Sequence, residues 1–184
     1  MTNLAFLVGQ VVTLRPLERT DIEGNYPSWF NDQDNDRFTE HGTFPTNRDD
    51  ALAFYDSLRQ QRNVLHLAII ESDTDQHVGN ISLQRIDWIS RRAEFALIIG
   101  EHSAKRKGIA YEAGKLIIRH GFDRLNLNRI YLGVNSENVA AIALFKKLGF
   151  QEEGRLRQHI LRDFTSFDVI NMAILRDEWA RSAS

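Results

Sequence analysis

The stretch Glu94–Ala113 constrains this chain more tightly than any other. An apolar, strand-like segment ends at Gly100, a short polar connector follows, and a basic turn containing Gly108 opens a helix. A glycine turn at a helix start leaves several backbone N–H groups unpaired where the macrodipole is positive, which makes a site for anions. Lys105, Arg106 and Lys107 add three cations to that field. A strand ending in glycine leaves backbone groups for an extended ligand. The ligand that satisfies both halves is long, with a phosphate at one end and an amide-rich arm at the other.

The rest of the composition narrows the class. At 184 residues the chain is long enough for one domain with a full core and short for two, so residues 1–184 read as a single domain. The net charge of −2 gives no global basic field for nucleic acid. Cysteine is absent, which removes disulfides, thiolate metal sites and cysteine nucleophiles and fits a reducing compartment. No apolar run approaches the ~18 residues of a membrane span. The N-terminal MTNLAFLVGQ lacks a cationic n-region. The expectation is a soluble cytoplasmic protein, without membrane or nucleic-acid partners.

Hydrophobic periodicity lays out the elements. Gly9–Leu17 alternates as a strand, expected at an edge because it ends near Pro16. Thr20 or Asp21 caps a short helix that Gly24 and Pro27 interrupt, and Ser28–Phe38 reads as a loop or broken helix. His41–Asn47 is a loop, and Thr46 or Asn47 caps a helix over Arg48–Arg62. Leu65–Glu71, His77–Ile86 and Arg91–Ile99 form a meander of three strands. Then come a helix (Gly108–Phe122), a strand (Asn128–Asn135), a helix (Ser136–Leu148) stopped by Gly149, and two strands (Phe150–Leu161, Phe167–Leu175). The fold class is α/β (α+β), with a central mixed, mostly antiparallel sheet flanked by helices.

Several chemistries are excluded by motif. There is no G-x-S-x-G and no H-E-x-x-H, and the six histidines share no i, i+4 ligand spacing, so no metal site is expected. Gly108…Gly114–Lys115 fails as a P-loop: five residues separate the glycines where four are needed, and no Ser or Thr follows Lys115. A second ordered segment, Asn138–Phe150 (NVAAIALFKKLGF), accompanies the basic turn. Together they resemble the GNAT acetyltransferase superfamily. Lys105, Gly108 and Ala110 stand for its [Gln/Arg]-x-x-Gly-x-[Gly/Ala] pattern. Asn138, Ala141, Phe145, Gly149 and Phe150 stand for its Asn-x-x-Ala-x-x-x-Tyr-x-x-x-Gly-Phe pattern. Leu14–Arg19, Ala93–Phe95 and Glu152–Ile160 look like the branch of ribosomal-protein N-terminal, spermidine and nucleotide-amino-sugar acetyltransferases.

The resemblance implies acetyl-CoA as co-substrate and direct transfer to an amine through a ternary complex. The acceptor would be a protein N-terminus, an amino sugar, a polyamine or another small amine. The backbone from Lys105 through Arg106, Lys107, Gly108 and Ile109 to Ala110 would hold the pyrophosphate. Leu97, Ile98 and Ile99 would pair with the pantetheine arm, with Asn138 and Phe145 beside it. Phe145 replaces the tyrosine that often protonates the leaving thiolate. That motivates an alternative, a catalytically weak acyl-CoA-binding regulatory module. Glu94 is the candidate base; its bland alternative is a pairing with Arg85, Arg91 or Arg92. Trp29 and Asp32 are candidate acceptor contacts within an acidic, aromatic stretch that also holds Asp34, Asp36 and Glu40, and a solvated loop is the alternative there. The last two strands offer an edge through which a homo-oligomer could form.

Overall fold

The computed structural model describes residues 4–38 and 43–182. Its frame is one eight-stranded sheet of order β1-β2-β3-β4-β5-β6-β8-β7. β1 (Leu7–Val8) and β2 (Val12–Pro16) form a hairpin, so the first predicted strand is covered by β1 rather than lying at the margin. A carboxylate holds that turn: Glu112 accepts from the backbone N–H groups of Gln10, Val11 and Val12 at 2.7–2.9 Å.

The helices α1 (Arg19–Glu23), α2 (Tyr26–Asn31), α3 (Gln33–Asp36) and α4 (Arg48–Leu58) follow. α1 is started by a capping box between Glu18 and Asp21, with the cap two to three residues before the predicted one. Pro27 lies at the start of α2, where its missing N–H costs nothing, and so opens a helix instead of interrupting one. Asn47 caps α4 by accepting from Asp50 N–H, and α4 ends four residues short of the expected end. Glu40 and the beginning of the His41–Asn47 loop lie outside the described residues.

β3 (Leu65–Glu71), β4 (Gln76–Asp87) and β5 (Arg92–Ile99) form the antiparallel meander. Both faces of β3 are covered, which is why its sequence is an almost unbroken apolar run. Leu67 and Ile69 join a core under the later helices, while Ala68 and Ile70 pack with Ile22, Tyr26, Trp29 and Ala51 of the early ones. α5 (Ile109–Asp123) then crosses over to β6 (Arg129–Asn135), the connection a parallel pair requires. Ala113, Ile117, Ile118 and Phe122 form its buried face, and each fully buried Ile or Phe contributes roughly 1.5–3 kcal/mol. Ala110 and Leu116 of the same helix are only half buried.

α6 (Val139–Lys147), β7 (Gln151–Arg162), β8 (Thr165–Leu175) and α7 (Arg176–Ser182) complete the chain. The final hairpin is longer than predicted. Its turn contracts to Asp163–Phe164, both at positive φ, the backbone a two-residue hairpin turn needs. α7 escaped the sequence reading. Arg176 at its start donates to the carbonyls of Leu127 and Phe122 and so fastens the end of α5.

Candidate active site

Everything at this site depends on where β5 and β6 part. They pair only at Arg92, Ala93 and Glu94 against Arg129, Ile130 and Tyr131. Beyond that, β5 stays paired with β4 on its other edge, and β6 with β8. Phe95–Ile99 therefore carries a strand edge without a strand partner in the middle of the sheet. An extended arm bearing amides can add to such an edge. Gly100 does not leave groups free as expected: its N–H donates to Val78 and its carbonyl accepts from Asn35. Its missing side chain instead admits the Trp29 indole, which a Cβ would meet at 2.0 Å.

Gly108 caps α5 at φ 81°, a left-handed conformation natural to glycine, and a Cβ there would meet nothing within 4 Å. The first bond closing the helix runs from Glu112 N–H to Gly108 C=O at 3.0 Å. The N–H groups of Ile109, Ala110 and Tyr111 precede it, at the end where anions bind. The three cations divide. Lys105 donates to Asn35 Oδ1 at 2.8 Å and Lys107 to Glu71 at 2.8 Å. The Arg106 guanidinium makes no hydrogen bond or ion pair among the described residues, which leaves it for a ligand.

Asn138 caps α6, its Oδ1 accepting from Ala141 N–H at 3.1 Å, so a contact to the arm would come from its NH₂. Phe145 meets Phe95 and Phe150 edge-on, each at 5.9 Å. Its ring is thus part of the wall beneath the open edge. Glu94 is the last residue of β5 before the strands separate. Its Oε2 lies 3.3 Å from Arg85 Nη1, an ion pair without hydrogen-bond geometry, and that buried oxygen has no hydrogen-bond partner among the described residues. Arg85 is 77% exposed, so solvent weakens the pairing.

Trp29 and Asp32 are not brought to this point. Trp29 is buried, its indole N–H donating to Glu101 at 2.8 Å and its ring edge-on to His77. Asp32 lies 2.6 Å from His102 Nε2 and accepts from Asp34 N–H; these contacts hold its carboxyl below the usual range. Asp34 completes a cluster of three with them. Lys105 Nζ, 3.3 Å from His102 Nδ1, already supplies a cation there.

On the α1–α4 face a cavity of about 420 Å³ lies over β3, β4 and β5. Leu97 and Ile98 form part of its wall, and Tyr26, Phe30 and Phe54 enclose it from the helices. His66 and Asn80 reach into it, and sequence reasoning missed both. The available signal was a row of polar residues, His66, Asn80, Ser82 and Gln84, alternating with apolar ones on two adjacent strands. His66 Nε2 and Asn80 Nδ2 are buried without hydrogen-bond partners among the described residues. Burial lowers the His66 pKa to about 4, with nearby His77 adding to the shift, so its ring is neutral at pH 7.

The sequence matches the acetyltransferase (GNAT) domain family over residues 12–151. The chain belongs to the GNAT acetyltransferase family. Spermidine N(1)-acetyltransferase of Vibrio cholerae is 31% identical over 171 residues, 91% of this chain and 95% of that protein. The Escherichia coli K12 spermidine N(1)-acetyltransferase is 36% identical over 111 residues, 60% of this chain and 59% of its own length. A crystal structure of the Vibrio cholerae enzyme with CoA and spermine superposes with a TM-score of 0.85 at 27% identity, covering 94% of this chain and 99% of that one. The GNAT family uses acetyl-CoA, and the sheet, the glycine turn and the capped α6 fit that co-substrate. No helix among the described residues is long and apolar enough to cross a membrane.

Proposed function

We propose that this chain transfers an acetyl group from acetyl-CoA directly to a primary amine, with both substrates bound at once. The observation that carries the reading is the three-residue β5–β6 pairing, which leaves the Phe95–Ile99 edge open ahead of the α5 N-terminus. The pantetheine amides would complete that edge along Leu97, Ile98 and Ile99. The pyrophosphate would take the N–H groups from Gly108 to Ala110, with Arg106 beside it. The NH₂ of Asn138 would bond the arm. Names among the relatives put polyamines on the acceptor list, next to protein N-termini and amino sugars.

In the reaction the amine nitrogen attacks the thioester carbonyl carbon, the C–N bond forms, the C–S bond breaks to release the thiolate, and the second proton lost by the nitrogen passes to solvent, from which the thiolate regains one. An alkylamine with a pKa near 10 arrives mostly protonated, so a base must first take one proton. Glu94, at the parting of the strands and with a buried oxygen free of hydrogen bonds, supplies it. Strand N–H groups along Leu97–Ile99 would stabilise the developing oxyanion. The thiolate has a moderate pKa and leaves without an acid at Phe145. The marginal strand β7, with Leu156 and Leu161 exposed, is the edge through which copies of the chain would associate.

The test is thiol release from acetyl-CoA with spermidine, a peptide N-terminus, glucosamine and a simple monoamine, with the acetylated product identified by mass. Release with at least one is expected. Silence with all four, while CoA still binds, would overturn the transferase reading.

A further inference from the structure

The cavity on the α1–α4 face has two properties that bear on which amine is accepted. Its lining is mostly aromatic and aliphatic, and among the described residues Asp50 is its only carboxylate. That carboxylate is already engaged, since Asp50 Oδ2 accepts from Asn47 N–H in the cap of α4. A polyamine would carry further ammonium groups along its chain, and within this lining they would lose water without gaining counter-charges.

The polar side chains that the strands present to the cavity, His66, Asn80, Ser82 and Gln84, are uncharged. His66 Nε2 and Asn80 Nδ2 belong to adjacent strands, two positions apart in register, and both are buried without hydrogen-bond partners among the described residues. Asn80 is braced from behind: its Oδ1 lies 3.0 Å from His77 Nε2, His77 Nδ1 lies 3.5 Å from Asp21, and Arg15 clamps Asp21 through two bonds of 2.7 Å. Buried polar groups without partners cost stability unless something in the working protein satisfies them.

We propose that this cavity seats the acceptor as a single amine on an aryl or branched aliphatic body, with His66 Nε2 accepting an amine N–H, Asn80 making the second polar contact, and the body lying against the wall that the touching rings of Tyr26, Phe30 and Phe54 form. The proposal rests on the transferase reading for its kinetic arm alone. Leu97 and Ile98 connect the two sites, since they belong both to the cavity wall and to the open strand edge. The neutrality of His66 suits the role, because a charged ring would repel an arriving ammonium.

The experiment compares 2-phenylethylamine with spermidine as acceptors in the full-length protein and its His66→Leu and His66→Gln variants. The expected kcat/KM for 2-phenylethylamine exceeds that for spermidine at least tenfold. His66→Leu should raise the KM for 2-phenylethylamine at least tenfold, leave the KM for acetyl-CoA unchanged and not lower Tm, because it removes an unpaired buried polar group. His66→Gln, which restores an acceptor atom, should recover part of the loss. Preference for spermidine, or an amine KM indifferent to His66→Leu, overturns the proposal. Calorimetric titration of 2-phenylethylamine into the CoA-bound protein separates the two readings. Binding that His66→Leu weakens tenfold supports the cavity assignment even without turnover, whereas absence of binding overturns it.

Discussion

The two faces of the sheet near β5 are built from different materials. On the α5–α6 face, the proposed cofactor site is made of backbone: a strand edge, three helix N–H groups and a left-handed glycine. On the α1–α4 face, the proposed acceptor site is made of side chains from α2, α4, β3, β4 and β5 converging around one cavity. A backbone site is written locally in sequence, because glycine, a cap residue and an apolar run dictate it within a few positions. A side-chain cavity has no local signature, since its residues come from segments about 70 positions apart.

The sharpest way to break this comparison is Glu94→Gln, at the boundary between the faces. Removing a general base lowers kcat by about 10²–10⁴-fold, and acetyl-CoA affinity measured by calorimetry should stay the same. Unchanged turnover at saturating substrates would rule Glu94 out as the base.

The cavity face should next reveal itself through pH. The His66 pKa is about 4 in the fold against an ordinary value near 6.5, so between those values the unfolded chain binds more protons than the folded one. Its contribution is complete above pH 6.5 and fades as pH falls toward 4, by on the order of 3 kcal/mol. Asp21 adds a loss at lower pH. Burial opposes its charge, but Arg15 and the Glu18 N–H outweigh that and hold its carboxyl below the usual range. Denaturant titrations at pH 7, 5.5 and 4.5 should show the decline. His66→Leu should flatten the slope, and an equal slope in the variant would assign it elsewhere.

On the backbone face, Gly108→Val places a branched side chain at φ 81°, a strain of about 1–2 kcal/mol, at the turn proposed to hold the pyrophosphate. CoA affinity should drop roughly tenfold or more, with the far-UV spectrum unaltered. Affinity equal to wild type would move the pyrophosphate away from this turn. The smallest effect is expected from Phe145→Tyr. The ring keeps its packing on Phe95 and Phe150, and a thiolate of pKa near 8.5 needs little help to leave, so kcat should change by less than about threefold. A rise of an order of magnitude would show that thiolate protonation limits the native enzyme.

The sequence was readable where one residue type has one physical use. Gly108 marked the turn, Asn47 was one of the two caps expected for α4, and the strand pattern gave the meander nearly to the residue, whereas α6 starts at Val139, capped by Asn138, three residues after the expected Ser136. It misled where a residue has two uses. Pro27 can break a helix or begin one, and Gly100 can free a backbone or make room for an indole; neighbours distant in sequence chose the second in each case. Trp29, for which packing was the alternative to acceptor contact, is packed against Gly100 and held by Glu101.

Thus the apolar pattern, the glycine turn and the two ordered motifs determined by themselves the sheet, the crossover helix and the kind of cofactor, because each acts over a few bonds. Only the tertiary structure decided that β5 and β6 separate after Glu94, that two of the three lysine and arginine charges are spent on other partners, and that His66 and Asn80 end unpaired in one cavity. Those outcomes depend on which side chains meet across the sheet, and contact at a distance along the chain is fixed by packing alone.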